Sequence, residues 1–334
     1  MKKLFVVLAV LAFGTLSAAA AFFLELGHFA RSPLESVGTA RTVAIKAGDG
    51  FSVVSWRLAG AGLNPRPFQF AVLARLKGFD KRIMAGEYDL RTDMSPQRIL
   101  ETLVSGKVRL YRVTIPEGYT LQQIAHEVAR AGFDTEKAFL AAARDPQRAR
   151  RYGIAAKTLE GYLFPDTYRF PRSARAEQII DAMVRRFQEV FTPQWHRRAE
   201  ALNMTVHQVV TLASIVEKET GAAAERPLIA SVFHNRLRRG MRLETDPTVI
   251  YGIENFDGNL TRKHLETPTP YNTYRIRGLP PGPIASPGAA ALKAALYPAD
   301  TEYLFFVARK DRTHQFSTNI GDHNRAVRRY QLRR

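Results

Sequence analysis

Cysteine is absent from the 334 residues. Disulfides and thiolate chemistry are excluded with it, and thiols say nothing about compartment. The eight histidines are scattered without a His-x-x-x-His pair, so no metal set is legible. A Gly-x-x-x-x-Gly-Lys-Ser/Thr phosphate loop is missing, as is the Gly-x-Ser-x-Gly elbow of the α/β-hydrolases. No cofactor is expected. Acid is in deficit: 31 Asp and Glu stand against 49 Lys and Arg, a net charge of +18. Such an excess favours a polyanionic partner, whether nucleic acid, anionic lipid or an acidic polymer.

Charge is also missing from one long stretch. After Lys2 and Lys3, the run Leu4 to Leu24 carries none, and about 20 apolar residues suffice to span a bilayer. The two lysines favour a cytoplasmic N-terminus, with everything after Glu25 on the far side. The small residues from Ser17 to Ala21 offer a cleaved signal peptide as the rival. The run exceeds an ordinary signal core, which favours a retained anchor. Export in either form argues against nucleic acid as the partner.

The stretch Thr205 to Thr220, TVHQVVTLASIVEKET, is the most informative one. Thr205 with Gln208 forms a capping-box pattern, and Val206, Val209, Val210, Ala213 and Val216 recur at helical spacing. Glu217 falls inside that apolar arc, between Val206 and Val210. Desolvation there disfavours the charged carboxylate, the condition a general acid needs. An ion pair with an arginine from elsewhere is the alternative, and the helix by itself leaves both open. Glu219 lies beyond the other edge of the arc. Ser214 and Lys218 mimic a serine–lysine pair, but on a strip with His207 and Thr211 that reads as a solvated face. His314 is a lone candidate base.

An internal repeat appears at an offset of 70. Val43-Ala-Ile45-Lys-Ala-Gly48 matches Val113-Thr-Ile115-Pro-Glu-Gly118, and Ala61-Gly62-Leu63 matches Ala131-Gly132-Phe133. Each copy predicts a strand, a Gly turn and an amphipathic helix. The first copy resembles the opening of a LysM-type module, which implies binding of N-acetylglucosamine-containing glycans; a plain βα unit explains the same pattern. Asp134 to Ile154 predicts basic helices. Leu159 to Tyr168, LEGYLFPDTY, predicts a loop with exposed aromatics. Ala176 to Val190 predicts a helix with Ile180, Met183, Val184 and Phe187 inward. A further helix from Glu225 buries Ile229, Val232 and Phe233, with Asn235 and Arg236 beside that stripe. Thr267 to Gly288 holds six prolines, which excludes a helix interior or central strand and predicts an ordered loop.

EGYLFPDTY, ASIVEKET, ASVFHNRL, MRLETDPTVIYG and YNTYRIRGLPPGPIASPG stand in the order found in the YceG-like endolytic murein transglycosylases. The chain resembles that family over essentially its whole length, with His234 an unusual choice within SVFHNRL. The resemblance implies a bacterial, single-pass enzyme of the cytoplasmic membrane whose catalytic domain is extracytoplasmic. It implies cleavage of nascent peptidoglycan between N-acetylmuramic acid and N-acetylglucosamine with 1,6-anhydro ends, limiting strand elongation. The catalytic residue it implies is the first glutamate of Val-Glu-Lys-Glu, here Glu217, with Glu219 in support. Glu160, Asn235, Arg236, Tyr271, Asn272 and Tyr274 are candidates for the cleft wall, or for structural hydrogen bonds. Peptidoglycan strands and the membrane are the expected partners, peptidoglycan synthases candidate ones, and nucleic acid is not expected. A non-catalytic glycan-binding scaffold is the competing function.

The expected fold class is α+β. Its parts are a cytoplasmic tip and transmembrane helix over 1–25, a stalk over 26–40 and a LysM-like module over 41–110. A second βα module and connector over 111–155 and a mixed α/β catalytic domain over 156–334 complete it.

Overall fold

Helix formation begins at Lys2 and does not stop where the apolar run stops. In the computed structural model, which describes residues 2–332, helix α1 spans Lys2–Arg31. Leu26, Phe29 and Ala30 on its last turns are buried among other apolar residues. Within the expected stalk, Leu26, Phe29 and Ala30 are thus part of a core, while His28 and Arg31 stay exposed. The reason is spacing: 26, 29 and 30 share one helix face.

The chain divides into two compact units. The first, up to Tyr111 together with Arg169–Ser173, contains α1, β1 (Ala40–Ile45), α2 (Phe51–Gly60), α3 (Pro67–Leu76), β2 (Gly86–Arg91) and α4 (Pro96–Ser105). β1 and β2 pair antiparallel with Val43 opposite Tyr88 and Ile45 opposite Gly86. Alternation along the strands sends Val43, Ile45, Tyr88 and Leu90 inward. There they meet Leu58, Phe70 and Ile99 from the helices.

The second unit, Arg112–Tyr168 and Ala174 onward, begins within β3 (Tyr111–Thr114). It contains α5 (Leu121–Arg130), α6 (Glu136–Ala143) and α7 (Pro146–Arg151), then the first half of β4 (Thr167–Phe170), the strand paired with β3. Next come α8 (Ala176–Val190), α9 (Pro193–Ala201), α10 (Val206–Glu219), α11 (Arg226–Arg238), α12 (Asp246–Tyr251), α13 (Arg262–Glu266) and α14 (Ala289–Leu296). An antiparallel hairpin, β5 (Phe305–Ala308) with β6 (His314–Ser317), and α15 (Ile320–Val327) follow. The result is mixed α/β, with short two-stranded sheets among many helices. The helices after Ala174 share this unit with the second βα repeat.

The repeat is visible in the backbone. Gly48 and Gly118 take φ of +87° and +75°, and Gly62 and Gly132 +72° and +78°. Left-handed φ is cheap only without a β-carbon, so the same two turns require glycine in both copies.

Helix α10 is the centre of the second unit. The Thr205–Gln208 capping box is formed in both directions, at 3.2 and 2.8 Å. Every residue from Val209 to Val216 is buried, polar ones included. Of the expected solvated strip, Thr211 and Ser214 are buried and His207 half-buried, while Lys218 is exposed; Ser214 donates to Thr211 O at 2.7 Å and accepts from the Ile284 N–H at 3.0 Å. His207 bonds Tyr162 Oη and the Pro281 carbonyl, both at 2.9 Å. The strip faces the Pro-rich loop, whose backbone needs partners that its prolines cannot supply.

The aromatics of LEGYLFPDTY are not exposed. Tyr162 and Phe164 are buried, with the Tyr162 ring edge-on to Phe187 of α8 at 5.2 Å. Ile180, Met183, Val184 and Phe187 face inward as the helical spacing predicts.

Candidate active site

Glu217 lies in the last turn of α10, with only 7% of its side chain exposed. Arg226, at the first position of α11, donates from Nη2 to Oε1 at 3.1 Å. The Gly288 N–H, at the N-cap of α14, donates to Oε2 at 3.0 Å. Of the two alternatives left open by the helix, the ion pair is present: the enclosed carboxylate is bonded to Arg226. Three helix ends converge on it, and two of them are N-termini, which attract negative charge.

A second carboxylate joins from the turn of the second repeat. Glu117 Oε2 stands 3.7 Å from the same Arg226 Nη2. Burial first, and then the neighbouring Glu217 charge, push the Glu117 carboxyl above the ordinary range, against the pull of Arg226. That turn is fastened by two backbone bonds of 2.8 Å, Gly118 N–H to Ser286 O and Ser286 N–H to Tyr119 O. Lys218 Nζ reaches the Gly118 carbonyl at 3.4 Å. Glu117, Arg226 and Gly288 were not singled out in the sequence. Glu117 stands where the first copy has Ala47, one of three differences between the two aligned segments, so the repeat does not single it out.

Glu219 points elsewhere. It accepts a hydrogen bond from the Thr245 hydroxyl. Burial pushes its carboxyl up, with Thr245 opposing and the Asp246 charge adding to the rise. His314 is not alone: its Nδ1 lies 2.7 Å from Glu225 Oε2, and its N–H donates to Oε1 at 3.1 Å.

The remaining candidates are spent largely on structure. Glu160 is buried, accepts from the first N–H of α5 at 3.1 and 3.2 Å, and from Tyr251 Oη at 3.0 Å. Burial pushes its carboxyl up to about 7. Asn235 Nδ2 donates to the Thr301 and Tyr303 carbonyls, both at 2.8 Å. Arg236 donates to the carbonyls of Leu304, Arg242 and Leu243 and pairs with Glu244 at 3.2 Å. Asn272 is fully buried and donates to His264, Leu265 and Thr267 carbonyls. Tyr274 Oη donates to Asp246 at 2.8 Å. Tyr271 packs on Tyr251, with ring centres 4.8 Å apart. His234 locks α11 to α14 through Nε2 and Ala295 O at 2.8 Å, and burial pushes its imidazole down toward the neutral form. Most of these side chains satisfy buried backbone groups, and the others pair with side chains of the same unit. Among the described residues no group of His, Asp and Glu is arranged to hold a metal ion.

Comparison with known proteins identifies the family. Residues 43–329 match the model of the YceG-like family. An endolytic murein transglycosylase of Bacillus subtilis is 34% identical over 80% of this chain and 78% of its own length. One from Streptococcus pneumoniae is 33% identical over 86% of this chain, which spans 57% of that longer protein. The crystal structure of a yceG-like protein from Listeria monocytogenes superposes with a TM-score of 0.60 at 34% identity, covering 86% of this chain and 99% of that one. The motifs, the match over most of the chain and the shared fold place this protein in the YceG-like family.

Proposed function

We propose that this protein is a membrane-anchored lytic transglycosylase that cuts nascent peptidoglycan strands within their length, with Glu217 as acid and base. The observation that carries the proposal is the setting of Glu217, buried and held at both oxygens by Arg226 and Gly288. The names of the relatives supply the substrate class.

A glycosidase that uses water needs two carboxyl groups, one as acid and one as nucleophile or base. Internal attack needs only one. Glu217 gives its proton to the glycosidic oxygen as the bond from C1 of N-acetylmuramic acid breaks. The C6 hydroxyl of the same sugar then attacks C1, and its proton returns to the Glu217 carboxylate. No water is consumed and a 1,6-anhydro end results. Tethering the nucleophile to the electrophile gives the attack a high effective molarity. Glu117 shares the Arg226 guanidinium with Glu217, and burial and the Glu217 charge favour its own protonated form. Glu219 is assigned a positioning role, through Thr245 on the segment before α12.

The surplus of basic residues suits the acidic stem peptides and lactyl groups of peptidoglycan. The strand–helix–helix–strand order of the first unit supports a LysM-like, glycan-contacting role. Helix α1 is long and apolar enough to cross a membrane, which supports a single-pass anchor with a cytoplasmic N-terminus. Synthases that make the strands are candidate partners.

A glycan-binding scaffold without activity is the second reading, and one experiment separates them. Full-length protein in vesicles is given lipid-linked nascent strands, and strand length is followed on gels. Wild type shortens the strands and Glu217→Gln does not, while both bind them. Strands left at full length by both proteins, with equal binding, would put the scaffold first.

A further inference from the structure

Helix α1 carries the first unit without a hinge. Its uncharged run ends at Leu24, yet Phe22 already packs against the core that holds Leu26, Phe29 and Ala30. Immediately after the run, Glu25 accepts from Arg66 Nη1 at 2.7 Å and from Gln69 Nε2 at 3.4 Å. The start of α3 therefore stands level with the last apolar turn of α1. Phe68 lies between these two donors and is 73% exposed. A groove between α2 and α3 continues from it, with Trp56, Arg75 and Leu76 in its lining. Trp56 is 67% and Leu76 60% exposed.

Such large apolar side chains, contiguous and uncovered, mark an interaction surface. The position of the surface identifies the partner. As a helix, Leu4 to Leu24 is about 31 Å long at 1.5 Å per residue, close to the roughly 30 Å of a bilayer's hydrocarbon. If the run spans the membrane, Glu25 emerges at headgroup depth and Phe68 beside it. Aromatic rings concentrate at that depth, and a basic side chain such as Arg75 meets anionic headgroups there. We propose that the face bearing Trp56, Phe68 and Leu76 seats in the lipid surface beside the anchor. The first unit is then a membrane-docked base for the enzyme. This rests on the anchor reading of α1.

The chain has two tryptophans, so Trp195→Phe leaves Trp56 as the sole reporter. Full-length Trp195→Phe protein is reconstituted into phosphatidylcholine–phosphatidylglycerol vesicles carrying lipid brominated near the top or near the end of the acyl chains. Vesicle flotation reads the anchor, and Trp56 emission reads the face. Flotation with loss of emission to the shallow label is the expected result, because interfacial side chains sit about 5–10 Å into the headgroup boundary. Adding Phe68→Ser, an exposed change neutral for folding, should weaken that loss while flotation persists. Flotation without shallow quenching would overturn the docking face and leave the anchor standing. No flotation would remove the anchor reading and the inference with it. Emission that answers soluble chitooligosaccharide but not brominated lipid would assign the face to glycan instead.

Discussion

The Glu117 carboxylate occupies the space that a side chain at Gly288 would need. A β-carbon on residue 288 would lie 1.8 Å from Glu117 Oε1. Glycine there lets the second carboxylate approach while the residue's own N–H holds Glu217. Gly288→Ala must displace Glu117, the N-cap of α14, or both. Because Glu117 is half exposed and can swing aside, stability should change little. Turnover should fall by up to about 100-fold, the cost of a misplacement near 1 Å. In a Glu117→Ala background the same change should cost far less, since coupled residues are not additive. Additive losses in strand cleavage would count against this coupling.

Arg226 is the shared partner of both carboxylates. Arg226→Met leaves the Glu217 charge buried and uncompensated, an event worth about 3–5 kcal/mol of destabilisation. Adding Glu217→Gln should recover much of that loss, and Arg226→Lys should lose less than Arg226→Met. Chemical denaturation of the three variants measures it. A single variant as stable as wild type would show that the pair does not matter to the fold.

Glu160 gives the fold a pH dependence of definite sign. Burial raises its folded value to about 7 from the ordinary 4.5. The folded state thus binds more protons than the unfolded one between these values, and stability falls as pH rises through that window. The loss from this group is absent below pH 4.5 and complete above about 7, at roughly 3 kcal/mol. Glu160→Gln keeps an acceptor for the Leu121 N–H and removes the titration. Its thermal midpoint should depend less on pH between 4.5 and 7 than that of wild type. Parallel curves for the two proteins would refute the assignment.

Ser214 is a structural residue rather than half of a catalytic pair. Its hydroxyl accepts the Ile284 N–H within the Pro-rich loop, and Ser214→Ala would orphan that buried donor. The expected destabilisation is about 1–3 kcal/mol, with cleavage retained when measured well below the melting temperature. Abolished cleavage in a folded Ser214→Ala protein would reopen a nucleophilic role.

Caps, helix faces and turns are legible in the sequence, and long-range contacts are not. The Thr205 cap, the inward face of α8, the repeat and its turn glycines all follow from neighbours a few residues apart. Such patterns fix caps, helix faces and turns without reference to the rest of the fold. The burial of Ser214 and the partner of His207 depend instead on a loop some 70 residues later, and no periodicity reports them. Glu117 is 100 residues from Glu217, so its approach to Arg226 is a property of the fold. Glu160, Asn235 and Asn272 were visible as polar residues among apolar ones. Whether they met sugar or backbone was not, since a buried amide and a cleft amide look alike in sequence. The continuation of α1 to Arg31 was hidden because Glu25 and His28 interrupt the apolar run, although Leu26, Phe29 and Ala30 keep helical spacing.

The most direct test of the central claim is mass spectrometry of peptidoglycan strand ends after incubation with full-length protein, wild type beside Glu217→Gln. Lipid-linked nascent strands serve as substrate. The account predicts 1,6-anhydro-N-acetylmuramic acid ends from wild type and none from the variant. Reducing ends from wild type would mean that water, not the C6 hydroxyl, attacks C1. Anhydro ends persisting with Glu217→Gln would mean that another group carries the proton, and Glu117 would be the first to examine.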